Sequence, residues 1–446
     1  MSQLADLSAI EARTLLARGE VSASAFMEAC LERIAELEPR VEAWAFIDPD
    51  HARAQAKRAD DWRRSGHALP PLHGLPVGIK DIIDVAGMPV EQGSPIFRGQ
   101  KAHGDAALIA SLRRAGGIPV GKTVTTELAV YHPGKTKNPH DPAHTPGGSS
   151  SGSAAAVGAK MVPLAVGTQT NGSVIRPASF CGVIGFKPSY GLIPRTGVLR
   201  QSGFLDTVGV LARSVGDAAL LAECLAGPEP NAETDWPWPA PRLLDVAEAD
   251  PPRPPVLALA LGPKADRLSE DAAAGFDELA AALGEQIETV TLTGDLAQAW
   301  SHHEAVMLTD LAHRFGPLEQ RYPDLLSARL KEMLAAGREV RATAYAAAID
   351  QREPLAASLN PLFDRFDAIL TPAAPGEAPL GLETTGDPVF ATVWTYLGLP
   401  AITLPLLIGA NGLPIGVQLV GAHKDDGRLL RTANWLVKEL LREATP

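Results

Sequence analysis

Residues 147–188 read GGSSSGSAAAVGAKMVPLAVGTQTNGSVIRPASFCGVIGFKP. Two Gly/Ser-rich turns, at 147–153 and 171–173, flank a segment of small and apolar residues, and a strand-like run from Met161 to Val166 leads into the second turn. Glycine tolerates backbone conformations and close approaches that other residues resist. Such turns can therefore bring backbone N–H groups and serine hydroxyls to one point. Acyl transfer at an amide requires that convergence, a nucleophile together with fixed donors for the developing oxyanion.

Outward from this stretch, helical and strand-like patterns alternate. Met27, Cys30, Leu31, Ile34 and Leu37 recur at helical spacing, with Ser22 or Ser24 as cap and Pro39 as terminator. Leu75–Ile79 reads as a strand, Asp105 as the start of a helix carrying Leu108, Ile109 and Leu112, and Ile118–Val120 as the next strand. A helix over about Gly152–Lys160, a short strand over Gly182–Phe186 and a helix over Val215–Leu225 follow. Residues 227–254, rich in proline and acidic groups, read as a surface loop. Beyond them come strands at Val256–Leu261 and Ile287–Leu292 around a helix capped by Ser269, then a mostly helical region at 297–365. Strands at Phe366–Leu370, Ala401–Leu406 and Leu413–Val420 follow, the last pair joined at Asn411–Gly412, and a C-terminal helix closes the chain. This alternation predicts an α/β fold in which helices cover a sheet.

The chain has 446 residues and a net charge of −12, which argues against nucleic acid or an anionic membrane as main partner. No uninterrupted apolar run of about 18 residues predicts a membrane span, and the N-terminus lacks the cationic and apolar regions of a secretory signal. Cys30, Cys181 and Cys224 are odd in number, far apart and free of C-x-x-C spacing, which predicts reduced thiols in a cytoplasm. Cys181, between Phe180 and Val183, reads as a packed, inert thiol.

Four motif readings compete for the chemistry. Gly116–Thr123 matches the phosphate-loop pattern in letters, but a helix precedes its glycines and a strand lies inside it, the reverse of what a phosphate loop needs. Gly148–Gly152 matches the G-x-S-x-G nucleophile elbow centred on Ser150, yet the three prolines upstream rule out the strand an elbow requires. His303–Glu304 begins a zinc-binding H-E-x-x-H helix whose last position is Met307, so no metal is expected and these histidines read as helix-surface residues. S-x-x-K is absent. The fourth reading joins Lys80, Ser149 and Ser173.

On that reading, the 147–188 run resembles the signature of the amidase signature family, and LHGLPVGIKDIIDVAGMP around Lys80 resembles the lysine segment of the same family. The resemblance extends over DTVGVLARSVGDAALL at 206–221, FDAILTPAAP and GLPAITLPLL near the C-terminus, and so over almost the whole chain. It implies a single amidase-signature domain spanning 1–446, with a large mixed sheet covered on both faces by helices. It also implies a Ser–cis-Ser–Lys triad in which Ser173 is the nucleophile, Ser149 the bridging serine on a cis peptide and Lys80 the base. Backbone N–H groups of Thr170, Asn171, Gly172 and Ser173 would form the oxyanion hole. No cofactor is implied, the substrate is a small amide, and a homodimer is expected from the resemblance alone.

Elementary chemistry agrees with these roles. A serine hydroxyl needs a base, no sequence feature selects a histidine for that role, and of the two forms of a lysine only the neutral amine accepts a proton. Moving a lysine from about 10.4 to near 7 takes about 4–5 kcal/mol of differential destabilisation of the ammonium, which apolar burial can supply. Val77, Ile79, Ile82 and Ile83 make burial of Lys80 reasonable, whereas Asp81 and Asp84 would oppose a neutral amine if they faced it. The chain departs from the commonest family pattern, GTDTGGSIR, by Gln169 for the aspartate, Asn171 for the first glycine and an arginine, Arg176, three positions after Ser173. Asn tolerates positive φ, so the turn can persist, and its side chain is expected to narrow the pocket. The variant resembles the malonamidase branch, which implies that Arg176 grips a substrate carboxylate; the competing reading pairs Arg176 with an internal carboxylate. Within the family the alternatives are the A subunit of a tRNA-dependent amidotransferase and a catalytically inactive binding member. Segments 297–365 and 380–396 are expected to supply the specificity walls.

Overall fold

A computed structural model describes residues 2–230, 241–292 and 294–443. Its strands are β1 Trp44–Ile47, β2 Pro76–Lys80, β3 Ile118–Thr123, β4 Leu164–Gln169, β5 Ile184–Lys187, β6 Thr207–Ala212, β7 Leu257–Leu259, β8 Ile287–Thr289, β9 Ala368–Pro372, β10 Ala401–Ile408 and β11 Pro414–Val420. Among the described residues these form one mixed sheet in the order β1-β3-β2-β4-β6-β5-β10-β11-β9-β7-β8. Strand β2 runs parallel to both β3 and β4, and β7 runs parallel to β8 and β9, whereas the central pairs β4–β6, β6–β5, β5–β10 and β10–β11 are antiparallel.

Side chains on a strand alternate between its two faces, and here the alternation sorts residues into two apolar layers. Ala368, Leu370, Leu257, Leu259, Val417 and Leu419 enter one core, with helices Ala23–Val41, Val215–Leu225 and Asp426–Glu443 above them. Ile369, Ala258 and Val420 enter the other, beneath helices Ala299–Arg321, Ala328–Glu339 and Val389–Tyr396. The sheet is thus an α/β layer covered by helices on both faces, as predicted.

Several boundaries differ from the sequence reading, each for a local reason. Strand β4 begins at Leu164, not Met161, because Pro163 has no N–H to pair and the chain is still turning out of helix Ser151–Gly158; β4 then runs through Gly167 and Thr168. Pro39 does not end its helix, which continues to Val41 and stops where Glu42 turns left-handed and caps Glu38 O. Ser22 is the cap, while the Ser24 hydroxyl donates to Asp60. The helix at Ala107 starts without a side-chain cap; Asp105 instead accepts from the Ala86 N–H and from Arg113. The loop at 227–254 contains helix Leu243–Glu248, and its residues 231–240 lie outside the described residues. The sequence reading does not anticipate strands β1 and β6 or helices Pro49–Arg64, Ile175–Phe180 and Val389–Tyr396.

Two glycines are required by close approach. A Cβ at Gly152 would sit 2.2 Å from Ala43 O, and one at Gly167 would sit 2.6 Å from Ser150 Oγ. The small-residue helix Ser151–Gly158 can therefore press on the sheet backbone, and Ser153 adds a bond to Val166 O and one to Thr123. The P-loop-like lysine, Lys122, lies within β3 and is wholly buried, 3.0 Å from Asp81. This pair turns Asp81 away from Lys80. Substituting Lys122→Met strands a buried carboxylate, so denaturant unfolding should register a loss of about 3–5 kcal/mol; a loss under about 1 kcal/mol would mean that the pair is not holding β2 to β3.

Candidate active site

The parallel pairing of β2 with β4 creates the site. Ile79 lies opposite Val166, so Lys80, the last residue of β2, comes level with Gly167 and one step from Thr168. Ligand sites of α/β sheets commonly open at the carboxyl ends of such strands. The Lys80 side chain is completely buried, with Nζ 2.8 Å from Ser149 Oγ and 2.9 Å from Thr168 Oγ1. Burial holds its pKa well below the ordinary lysine value; the Asp206 carboxylate pulls it back up and Arg176 pushes it further down. Asp81 and Asp84, the counter-charges of concern, face Lys122.

Two other buried lysines show why a shifted pKa alone selects nothing. Lys122 is engaged by Asp81, and Lys187, pushed down to about 7 by burial, donates to the carbonyls of Pro188 and Leu399. Lys80 alone among the three contacts a serine hydroxyl.

The peptide bond between Gly148 and Ser149 is cis. The Ser149 hydroxyl meets Lys80 Nζ and no other group among the described residues; an ammonium there donates to it, and a neutral amine can accept its proton. Ser150, the centre of the elbow-like pattern, is a structural peg: its hydroxyl donates to Thr168 O and accepts from Thr168 N–H. The Ser150 N–H reaches Ser173 O at 3.3 Å, which ties the two glycine turns together. Ser173 follows the end of β4 and keeps its hydroxyl free of protein partners among the described residues.

Gln169 ties the turn to the helix that follows it and to Thr395. Its Oε1 accepts from Val174 N–H and Ile175 N–H at 2.8 and 3.0 Å, and its Nε2 donates to Thr395. The carbonyls of the turn are fastened too: Thr170 O by His303 and Asn171 O by Thr395. The N–H groups of Asn171, Gly172 and Ser173 meet no acceptor among the described residues, so donors are presented without partners. Asn171 does not adopt positive φ, contrary to the sequence reading. Its side chain spans from Tyr131 OH, 2.8 Å away, to the Thr392 hydroxyl at 2.7 Å, and lines a cleft of about 870 Å³. Trp300, Met307 and Arg329 from the helical region and Thr385 and Pro388 from the later segment complete its walls. A second cavity of about 360 Å³ reaches Thr168, Thr170 and Asp206.

Arg176 is buried in the helix that follows Ser173. Its Nε donates to Thr385 O at 2.6 Å and its Nη2 to Gly148 O at 2.7 Å, the carbonyl of the cis bond. No carboxylate among the described residues bonds to it, and Nη1 is buried without a partner among them. Burial lowers its pKa to about 10, so it stays charged at neutral pH.

Three contributors lie outside the sequence reading. Asp206, raised to about 6 by burial, accepts from the Thr170 hydroxyl and from the Gln201 and Ser202 N–H groups; its position at the head of DTVGVLARSVGDAALL is the available signal. Thr395 carries none. His303, expected at a helix surface, is 1% exposed and bonds the turn itself. Among the described residues no group of three or more His, Cys, Asp or Glu side chains could hold a metal, and no helix is long and apolar enough to cross a membrane. Cys181 is buried and burial raises its pKa, so it is a poor thiolate.

The profile of the amidase family matches residues 25–430. The chain belongs to that family, the amidase-signature hydrolases of carbon–nitrogen bonds. It is 33% identical to the A subunit of the glutamyl-tRNA(Gln) amidotransferase of Symbiobacterium thermophilum, over 99% of this chain and 98% of that one. A crystal structure of an amidase is 30% identical with a TM-score of 0.83, covering 97% of this chain and 99% of the other. A peptide amidase bound to the competitive inhibitor chymostatin is 28% identical with a TM-score of 0.85, covering 98% of both.

Lys80 acting as a neutral base would fix a sign for pH dependence. Activity, as kcat/KM, should rise with pH as Lys80 loses its proton, on a limb lying well below the ordinary lysine value of about 10.4. A limb near 10 would contradict the lowered pKa. Lys80→Met should cost about 10²–10⁴-fold in kcat/KM, with the fold retained by circular dichroism.

Proposed function

We propose that this chain hydrolyses the C–N bond of small amides that carry a carboxylate, malonamate being the simplest of the class. The observation that carries the reading is the wholly buried Lys80 amine bonded to Ser149. Ser173 Oγ attacks the amide carbon while its proton passes to Ser149 and the Ser149 proton passes to neutral Lys80. The oxyanion is held by N–H groups of the Thr170–Ser173 turn. The tetrahedral adduct collapses as the proton on Lys80 returns through Ser149 to the leaving nitrogen, which departs as the amine and leaves an ester on Ser173. Water, deprotonated along the same chain, then cleaves that ester.

Arg176 supports the carboxylate preference. A buried guanidinium costs several kcal/mol unless it is compensated. Here carbonyl oxygens and the Thr385 hydroxyl compensate it, no carboxylate among the described residues bonds to it, and Nη1 is left over. Thr385, a bonding partner of Arg176, also lines the cleft beside Asn171. An anion reaching the Nη1 edge would complete the guanidinium.

One observation favours a second reading, the A subunit of a tRNA-dependent amidotransferase: near-full-length relatives carry that name at 32–33% identity. The departures at Gln169, Asn171 and Arg176 weigh against it. A third reading, an inactive binding member, is opposed by the assembled lysine–serine contact. The chain is further proposed to act as a homodimer in the cytoplasm, without nucleic acid or membrane partners.

Purified chain alone should hydrolyse free carboxylated amides; activity that appears only with partner subunits would favour the amidotransferase. Ser173→Ala should abolish acyl-enzyme formation seen by intact-mass spectrometry, and retained turnover would sink the assignment. Arg176→Ala should lower kcat/KM for malonamate by about 10–100-fold, the scale of a lost charged hydrogen bond, while changing an uncharged amide of similar size much less. Equal loss on both substrates would remove the anchor.

A further inference from the structure

Each peptide unit of the nucleophile turn has its carbonyl and its N–H pointing in opposite directions, because a trans peptide is planar. A donor that fixes the carbonyl therefore aims the N–H. Thr170 O shares its peptide unit with the Asn171 N–H, and it lies 2.9 Å from His303 Nε2. Asn171 O shares its unit with the Gly172 N–H, and it accepts from the Thr395 hydroxyl. The Gly148–Ser149 bond is the sole cis bond among the described residues, so both units in the turn are trans.

The chemistry of the His303 contact is unambiguous. A carbonyl only accepts, so Nε2 carries the proton, and burial, which pushes the pKa to about 4, keeps the ring neutral at neutral pH. His303 projects from the long helix Ala299–Arg321, which is anchored to helix Val389–Tyr396 through the Trp300 indole and Val389 O. Thr395 lies on that second helix. Two helices of one face thus grip two successive carbonyls from behind.

We infer that His303 and Thr395 are positioning residues for catalysis, orienting the Asn171 and Gly172 N–H groups toward the oxyanion by holding the carbonyls of the same peptide units. Donation to each carbonyl also polarises its amide, strengthening the opposed N–H as a donor. The inference rests on the proposed oxyanion role of the turn and adds residues outside the family's triad.

The test pairs substitutions that remove the donor with ones that keep it. His303→Leu and Thr395→Val remove it; His303→Gln and Thr395→Ser keep it. The readouts are kcat and KM on malonamate, the second-order rate of Ser173 phosphonylation by an alkyl fluorophosphonate, and the melting temperature. The donor-removing variants should lose about 10-fold or more in kcat and in phosphonylation rate, short of or near the 10²–10³-fold for deleting an oxyanion donor. Their KM should stay near wild type, and the donor-keeping variants should stay within about threefold of wild type. Thr395→Val also strips Gln169 of an acceptor, so the His303 pair is the cleaner comparison. Wild-type rates in His303→Leu, or equal losses in His303→Leu and His303→Gln, would overturn the inference while leaving the triad intact. Failure of the wild-type protein to label at Ser173 would overturn the triad reading and this inference with it.

Discussion

The Lys80 amine, held out of water against the hydroxyls of Ser149 and Thr168, is the constraint on which the rest of the structure depends. A buried ammonium is costly, so the site favours the neutral amine. Keeping it there requires a strand that ends at the lysine, a parallel neighbour that supplies Thr168, and a helix small enough to lie on the sheet. Only the third requirement is visible in the sequence; the first two emerge from strand pairing. The register of β2 on β4 sets the first two, and the glycines and serines of 147–158 meet the third.

The second requirement is a set of unpaired donors. In most of a folded chain buried backbone groups are satisfied. In the turn at 170–173 the carbonyls of Thr170 and Asn171 are satisfied and the N–H groups of 171–173 are left open among the described residues, an asymmetry built by Gln169, His303 and Thr395. Arg176 extends the same logic to a side chain, with three bonds made at Nε and Nη2 and one buried nitrogen left over. Asp206 tempers the arrangement, since its charge draws the Lys80 pKa upward while burial raises its own.

Much of this is legible in the residues. The alternation of patterns yields the α/β layers, the capping serines at 22 and 269 sit where helices start, and the glycine-flanked serines mark the site. What escapes reading depends on contacts between residues distant in sequence. His303 stands 133 residues from Thr170 and Thr395 stands 224 from Asn171, so no local spacing announces either. The reading of His303 as a helix-surface residue fails for that reason. Asp81 threatens a neutral lysine on paper, but its partner is Lys122, the residue singled out by the phosphate-loop pattern. Boundaries slip where proline acts through a missing N–H at Pro163 or is absorbed in a last turn at Pro39.

The central claim is that Lys80 is uncharged when the enzyme works. Carbon-13 labelling of lysine ε-methylenes reads this directly, because the Cε shift follows the protonation of Nζ. In a titration of the native protein, with Lys80→Met used to assign the resonance, the Lys80 signal should titrate well below the other lysines. A Lys80 resonance that keeps its charged shift up to about pH 10, alongside the exposed lysines, would contradict the account.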